Sequence, residues 1–238
     1  MLTPPDESRR PRAAKATSTT RDAPRRKAVD SAPSRQRRKD ARPQELLDAA
    51  LDLFVEKGFA ATRSEEVAAR AGVSKGTLYL YYQSKEELLK AVILQTISRE
   101  IAEGMDIIDS YTGTSADLLT LLMDEWWRRV GEQKASGICK LMVAEARNFP
   151  DIARFYLNEV IAPGRRLIAR VLQRGVDSGE FRPIPVDDAV GALIAPMLYL
   201  MVHQHSVGLC EGLAELFDPR RIIAAEIDLV LHGLLPRA

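Results

Sequence analysis

Apolar residues recur at helical spacing along almost the whole chain after Pro43. Leu47, Ala50, Leu51, Phe54 and Val55 fall at the i, i+3, i+4 positions that line one helix face. Gly58 stands where a left-handed residue closes a helix, and Phe59 is placed to fold back on Phe54. A short amphipathic run over residues 65–71 follows, with Glu65 and Glu66 in its first turn, where the helix dipole favours anions. Gly72 breaks it. Ser74 opens a second short helix over residues 75–82, and Ser84 with Glu87 three residues later forms a capping box that starts a long helix over residues 85–104. Beyond Thr114 the pattern predicts helices at 115–135, 138–148, 151–178, 187–208 and 219–234, with Pro163 kinking or splitting the third and a loop at 179–183. No segment alternates with the period of a strand and no internal repeat is visible, so the predicted fold is all-α.

The helices predicted before residue 90 follow the helix-turn-helix plan: two short helices joined by a tight glycine turn and held by a third, the second entering the DNA major groove. In a helix starting at Lys75, Leu78 and Tyr82 pack inward, which leaves Lys75, Thr77, Tyr79 and Tyr81 on the outer faces. Gly76 inside that helix is unfavourable by about 1 kcal/mol relative to Ala. Either something approaches the backbone closely there, as a sugar-phosphate chain would, or the glycine is simply tolerated. Lys85 opens the next helix, where backbone N–H groups and a cation together suit a phosphate.

The stretches Val67-Ala68, Ala71-Gly72-Val73-Ser74-Lys75-Gly76-Thr77-Leu78-Tyr79, Tyr81-Tyr82 and Ser84-Lys85-Glu86-Glu87-Leu88 closely resemble the signature of the tetracycline-repressor (TetR) family, over roughly residues 43–90. The resemblance implies an N-terminal three-helix DNA-binding domain with a helix-turn-helix and a C-terminal helical bundle for effector binding and dimerisation. The implied function is a ligand-responsive transcriptional regulator, usually a repressor. Such a protein holds a palindromic double-stranded DNA operator as a homodimer and is released by a small apolar or amphipathic effector. The domains expected are a disordered basic tail at 1–40, the DNA-binding domain at 41–90 and the effector and dimerisation domain at 91–238. By the resemblance, Lys85 matches a phosphate-contacting lysine. Arg63 stands where the family often has Thr, which implies an ionic contact to phosphate with Thr62 or Ser64 as the helix cap, and Tyr81 replaces a common His. The expected DNA-binding residues are therefore Arg63, Lys75, Gly76, Thr77, Tyr79, Tyr81 and Lys85.

The C-terminal part is rich in large, adaptable side chains. Bundles hold ligands between facing helices, so Met123, Trp126, Trp127, Phe155, Met197 and Met201 are the candidate effector-binding residues, although the same residue types also fill ordinary cores. Trp126 and Trp127 lie about 100° apart on a helix, which leaves one of them free to face a cavity. Residues 189–202, apolar nearly all round with small Gly191, Ala192 and Ala195, and the last helix with Ile223, Ile227 and Leu234, read either as a dimer-forming pair or as an intrachain core.

Charge and composition refine this picture. Residues 1–40 hold 12 basic against 5 acidic residues, a net of +7, while the rest hold 22 against 28, a net of −6. Five prolines and few aliphatic anchors make the tail too poor in apolar residues to fold, leaving two readings: phosphate and minor-groove contact, or a solvated extension. The 14-residue apolar stretch at 189–202 is shorter than the roughly 20 residues of a membrane span, so no membrane is expected. Cys139 and Cys210 are too far apart for a scaffold or CxxC site, which fits a reducing cytoplasm. His203 and His205, at i, i+2, point to opposite sides and do not make a metal site, and no cofactor is expected. No GxSxG, HExxH, GxGxxG or P-loop pattern occurs, so an enzyme is not expected. A DNA-binding architectural protein without an effector is the principal alternative, and an all-helical enzyme a weaker one.

Overall fold

The computed structural model describes residues 34–209 and 217–234, and among these there are helices and turns but no strand. The first helix, α1 (Ser34–Lys57), begins well before the predicted start at Pro43 and carries that proline inside it. The Arg, Gln, Lys and Ala residues upstream are strong helix formers, but with no large aliphatic residue among them the segment reads as tail. The remainder of the predicted tail lies outside the described residues.

Gly58 ends α1 with φ 85°, its N–H donating to the Phe54 carbonyl at 3.0 Å. Phe59 then turns back, its ring 5.4 Å from that of Phe54, and both are fully buried. Helix α2 (Ser64–Arg70) is capped differently from the expectation: neither Thr62 nor Ser64 occupies the cap position. Arg63 does, and its backbone N–H donates to the Glu66 carboxylate at 3.2 Å. The Thr62 hydroxyl is turned inward instead, within 2.8 Å of the Gly58 carbonyl and 3.2 Å of the Leu53 carbonyl, where it serves the open end of α1. Gly72, with φ 66°, makes the turn into α3 (Lys75–Tyr81), and α4 (Lys85–Ile93) follows.

No linker marks the expected boundary at residue 90. Helix α4 continues through a wide π turn, Leu94–Ser98, into α5 (Arg99–Ser110), making one unbroken rod. Then come α6 (Ser115–Trp126), a second π turn at Trp127–Gly131, a 3-10 turn at Lys134–Ser136, and α7 (Gly137–Glu145). The start of α6 is satisfied from a distance: the Glu180 carboxylate accepts the N–H groups of Ser115 at 2.6 Å and Ala116 at 2.8 Å. The predicted helix at 151–178 is split into α8 (Pro150–Tyr156), a π turn at Leu157–Ile161, and α9 (Ala162–Asp177). Pro163, which has no N–H to give the preceding turn, stands immediately after the split. Helices α10 (Val186–Gln204) and α11 (Pro219–Leu234) complete the described chain.

One continuous hydrophobic core runs through both halves. Helix α1 packs on α2, α4 and α7, while α9 is surrounded by α5, α6 and α10. Gly137 sets the approach of α7 to α1, since a Cβ there would lie 2.6 Å from a Val55 methyl. By length and composition α10 could pass for a membrane span, its helix being longer than the apolar stretch expected from sequence. Here one of its faces packs on α7, α9 and α11, and the other exposes Ala192, Ala195, Leu198 and Tyr199. On α11, Glu226 is buried with both carboxylate oxygens unpartnered, and desolvation pushes its carboxyl up to about 7.

Candidate DNA interface and ligand cavity

The Ser74 hydroxyl caps α3 by accepting the Thr77 N–H at 3.1 Å and lies 2.9 Å from the Thr77 hydroxyl. Leu78 is fully buried and Tyr82 half-buried, with burial raising its phenol. This anchoring turns Lys75, Gly76, Tyr79, Leu80 and Tyr81 outward, with Thr77 partly covered by its own cap. A Cβ on Gly76 would meet only the Ser74 hydroxyl, at 3.8 Å, so nothing inside the protein demands glycine there. Lys75 is ion-paired with Glu65 of α2 and lies 5.7 Å from the Tyr79 ring centre. That hydrogen bond raises the lysine and lowers the carboxyl. Arg63 is exposed at the start of α2.

Lys85 is placed differently from an outward phosphate ligand. Its ammonium donates to the carbonyls of Phe59 at 2.7 Å, Thr62 at 2.9 Å and Ala60 at 3.3 Å, and sits 4.4 Å from the Phe59 ring centre. An ammonium has three N–H groups, and these bonds engage all of them in locking the start of α4 to the α1–α2 loop. The sequence also left Leu80 unremarked. It is 84% exposed beside the two tyrosines.

The second half forms a partly open cavity of about 440 Å³ between α5, α6, α7, α8, α9 and α10. Met123, Trp126, Met197 and Met201 line it as expected, but Trp127 and Phe155 do not. Trp127 is buried in the core with its ring over Gly131, where a Cβ would lie 2.3 Å from it. Phe155 is half-buried beneath the Lys90 ammonium, 5.6 Å away. The two are adjacent in regular helical geometry, about 100° apart, so burying one leaves the other to face the cavity.

Two polar groupings interrupt the apolar wall. At one, Arg129 donates to Glu125 at 2.7 Å and Glu103 at 2.7 Å and lies 3.4 Å from Glu100. Hydrogen bonds from Arg128 and Arg129 hold the Glu125 carboxyl down to about 2. At the other, the Tyr156 hydroxyl lies 3.6 Å from the Cys139 sulfur, which is 3.7 Å from the sulfur of Met201. Burial pushes up both the thiol and the phenol. The Glu125–Arg129 pair was legible as an i, i+4 spacing; Tyr156 carried no signal that set it apart from core residues. No group of His, Cys, Asp or Glu among the described residues is arranged to hold a metal.

The cavity wall and the α1–α2 loop that Lys85 fastens are joined by more than the α4–α5 rod. The Glu145 carboxylate at the end of α7 accepts the Ala60 N–H at 3.2 Å, and Phe149 meets Phe59 edge-on at 4.8 Å. At its other end, the Ser136 hydroxyl accepts from Gln204 at 2.8 Å and bonds His205 at 2.8 Å, tying α7 to the end of α10.

A helix-turn-helix with a polar outer face, coupled to a ligand-sized apolar cavity, defines a ligand-responsive DNA-binding transcriptional regulator. The model of the bacterial regulatory proteins of the tetR family matches residues 46–92, and that of the tetracyclin repressor-like C-terminal domain matches residues 110–226. The chain belongs to the TetR family, whose members here include named repressors. It is 30% identical over 145 residues to the HTH-type transcriptional repressor KstR2 of Rhodococcus jostii, covering 60% of this chain and 70% of that protein. It is 32% identical over 148 residues to the HTH-type regulator YfiR of Bacillus subtilis, covering 61% and 71%. Among solved structures, FadR of Bacillus subtilis in complex with stearoyl-CoA shares the fold with a TM-score of 0.67, 19% identity and coverage of 80% of this chain and 98% of that one. KstR2 of Mycobacterium tuberculosis shares it at 0.63, with 23% identity and coverage of 82% and 96%.

Proposed function

We propose that the chain is a cytoplasmic, homodimeric repressor, not an enzyme. In this reading it grips a palindromic operator through two copies of α3 and lets go when a small apolar or amphipathic effector fills the cavity. Residues 41–90 serve as the reading domain and 91–238 as the effector and dimer domain. The observation that carries the proposal is the outward face of α3, where Lys75, Gly76, Tyr79 and Tyr81 stand clear of the core on a rigidly capped helix. On DNA, Lys75 and Arg63 face phosphates, the tyrosine hydroxyls reach phosphate or base edges, and bare Gly76 admits the sugar-phosphate chain. Leu80 suits the methyl group of a thymine. Lys85 acts through the loop that it fastens, and the backbone N–H groups at the start of α4 remain for phosphate.

Dimerisation is supported by the uncovered apolar faces of α10 and α11, with Leu198, Tyr199 and Leu229 exposed. Two such faces make an intersubunit four-helix bundle. The cavity of about 440 Å³ between the helices favours an effector-responsive protein over an architectural one, whose bundle would be solidly packed. Relatives named for fatty acid and ketosteroid regulation support an apolar-bodied effector.

The test is selection of bound duplexes from a random DNA pool by the full chain. The expected product is an inverted repeat with half-sites one turn (roughly 34–36 Å) or a small multiple apart. Recovery of unrelated sequences at equal affinity would overturn the reading.

A further inference from the structure

The lining of the cavity contains one hydroxyl placed to choose among ligands. Tyr156 is only 8% exposed, and the contact of its hydroxyl is a thiol sulfur 3.6 Å away, a weak partner for a phenol. Tyr156, Cys139 and Met201 all line the cavity, and the hydroxyl sits where the three meet. We propose that the cavity selects an uncharged apolar molecule carrying a neutral oxygen, a ketone, ester or alcohol, and that this oxygen accepts the Tyr156 hydroxyl hydrogen. This rests on the cavity being the effector site.

The hydrogen-bond arithmetic fits. Cys139 has one hydrogen, which reaches either Met201 sulfur or the Tyr156 oxygen. With a ligand oxygen present, Tyr156 donates to it and Cys139 donates to Tyr156, so each polar group has a partner. Burial keeps the phenol protonated and therefore a donor. The charges elsewhere in the wall argue against an anionic head group. Three carboxylates, Glu100, Glu103 and Glu125, face two guanidiniums. Arg129 is shared among those carboxylates, and Arg165 donates to the Asp187 carbonyl at 3.1 Å. The wall thus carries no surplus positive charge with which to receive a carboxylate or a phosphate. At about 440 Å³ the space lies toward the small end of the roughly 300–1,000 Å³ of ligand sites.

The experiment titrates 2-undecanone, undecane, undecanoate and decanoyl-coenzyme A into the full chain, followed by tryptophan fluorescence, because Trp126 lines the cavity. Wild type and Tyr156→Phe are compared after thermal melts establish that both fold. The expected result is that 2-undecanone binds wild type most tightly of the oxygen-bearing probes and loses about 5–10-fold in Tyr156→Phe, with undecane unchanged. Tyr156→Leu removes the same hydroxyl and is expected to lose the preference for 2-undecanone over undecane likewise, an independent check should Tyr156→Phe fail to fold. No binding of 2-undecanone, equal ketone affinity in wild type and Tyr156→Phe, or tighter binding of either anion overturns the proposal. Operator release is scored separately. Tyr156-dependent ketone binding without release breaks the repressor reading alone, whereas release by an anion independent of Tyr156 keeps that reading and overturns this one.

Discussion

Between α1 and α4 the inward-facing apolar side chains close on one another: Leu46, Phe54, Phe59, Leu78 and Leu88 are wholly buried. Around α5 to α10 a comparable supply of leucine, methionine and aromatic residues leaves about 440 Å³ unfilled. Interiors ordinarily pack to crystal-like density, so side chains that stop short of closing here leave room between the helices that the first half does not. The contrast separates two tasks. A reader of fixed groove geometry must hold its side chains rigidly, while a receptor must keep room for something else.

The largest expected effect is at the reader. Tyr79→Ala should weaken operator binding about 100-fold, equivalent to about 2.8 kcal/mol, with an unchanged melting temperature, as measured by fluorescence anisotropy beside a thermal scan. Lys85→Ala tests whether the rigidity of that half comes from its loop staple. Loss of charge-assisted bonds costs about 1.5–3 kcal/mol, so the melting temperature should fall by several degrees; a loss of DNA affinity at constant melting temperature would instead make Lys85 a direct phosphate ligand. Met197→Trp fills the receptor. Operator affinity should stay within about twofold while release by effector disappears, and a retained response would place the effector elsewhere.

The fourth test uses Glu226. Its folded-state value of about 7 lies above the usual 4.5, so between those pH values the folded protein holds a proton that the unfolded chain releases. This carboxyl therefore lowers stability as pH climbs from 4.5 to 7 and keeps it lowered above that. Glu226→Gln should melt higher than wild type at pH 8, with the gap closing toward pH 5. The smallest effect is at Glu65, which holds Lys75. Glu65→Gln should tighten binding to any duplex by about two- to fivefold and steepen its salt dependence slightly.

The sequence disclosed whatever depends on neighbours along the chain. Gly58 with Phe54 and Phe59, the Ser74 cap and the inward Leu78 were all readable, because each is settled within one or two turns. The loop staple made by Lys85 was not legible for the opposite reason: the carbonyls it bonds lie more than 20 residues earlier, which helix position does not reveal. The cavity residues were half legible. Side-chain type singled out Met123, Trp126, Met197 and Met201, which line the cavity, together with Trp127 and Phe155, which do not, because large adaptable side chains fill cores and line cavities alike. The 100° between Trp126 and Trp127 tells that one can face a cavity but not which, and nothing along the chain sets Tyr156 apart from core residues. The early start of α1 is not legible because residues 34–42 carry no apolar periodicity, although most of them are good helix formers.

The seamless passage from α4 into α5 has a mechanical meaning. From Lys85 to Ser110 it amounts to roughly 40 Å of stiff lever at about 1.5 Å per residue, one end beside the reading helix and the other in the wall that a ligand would press. A swing of about 5° at one end carries the other through about 3 Å, so a displacement too slight to disturb the receptor's packing arrives at the groove as a step nearly the height of a base pair.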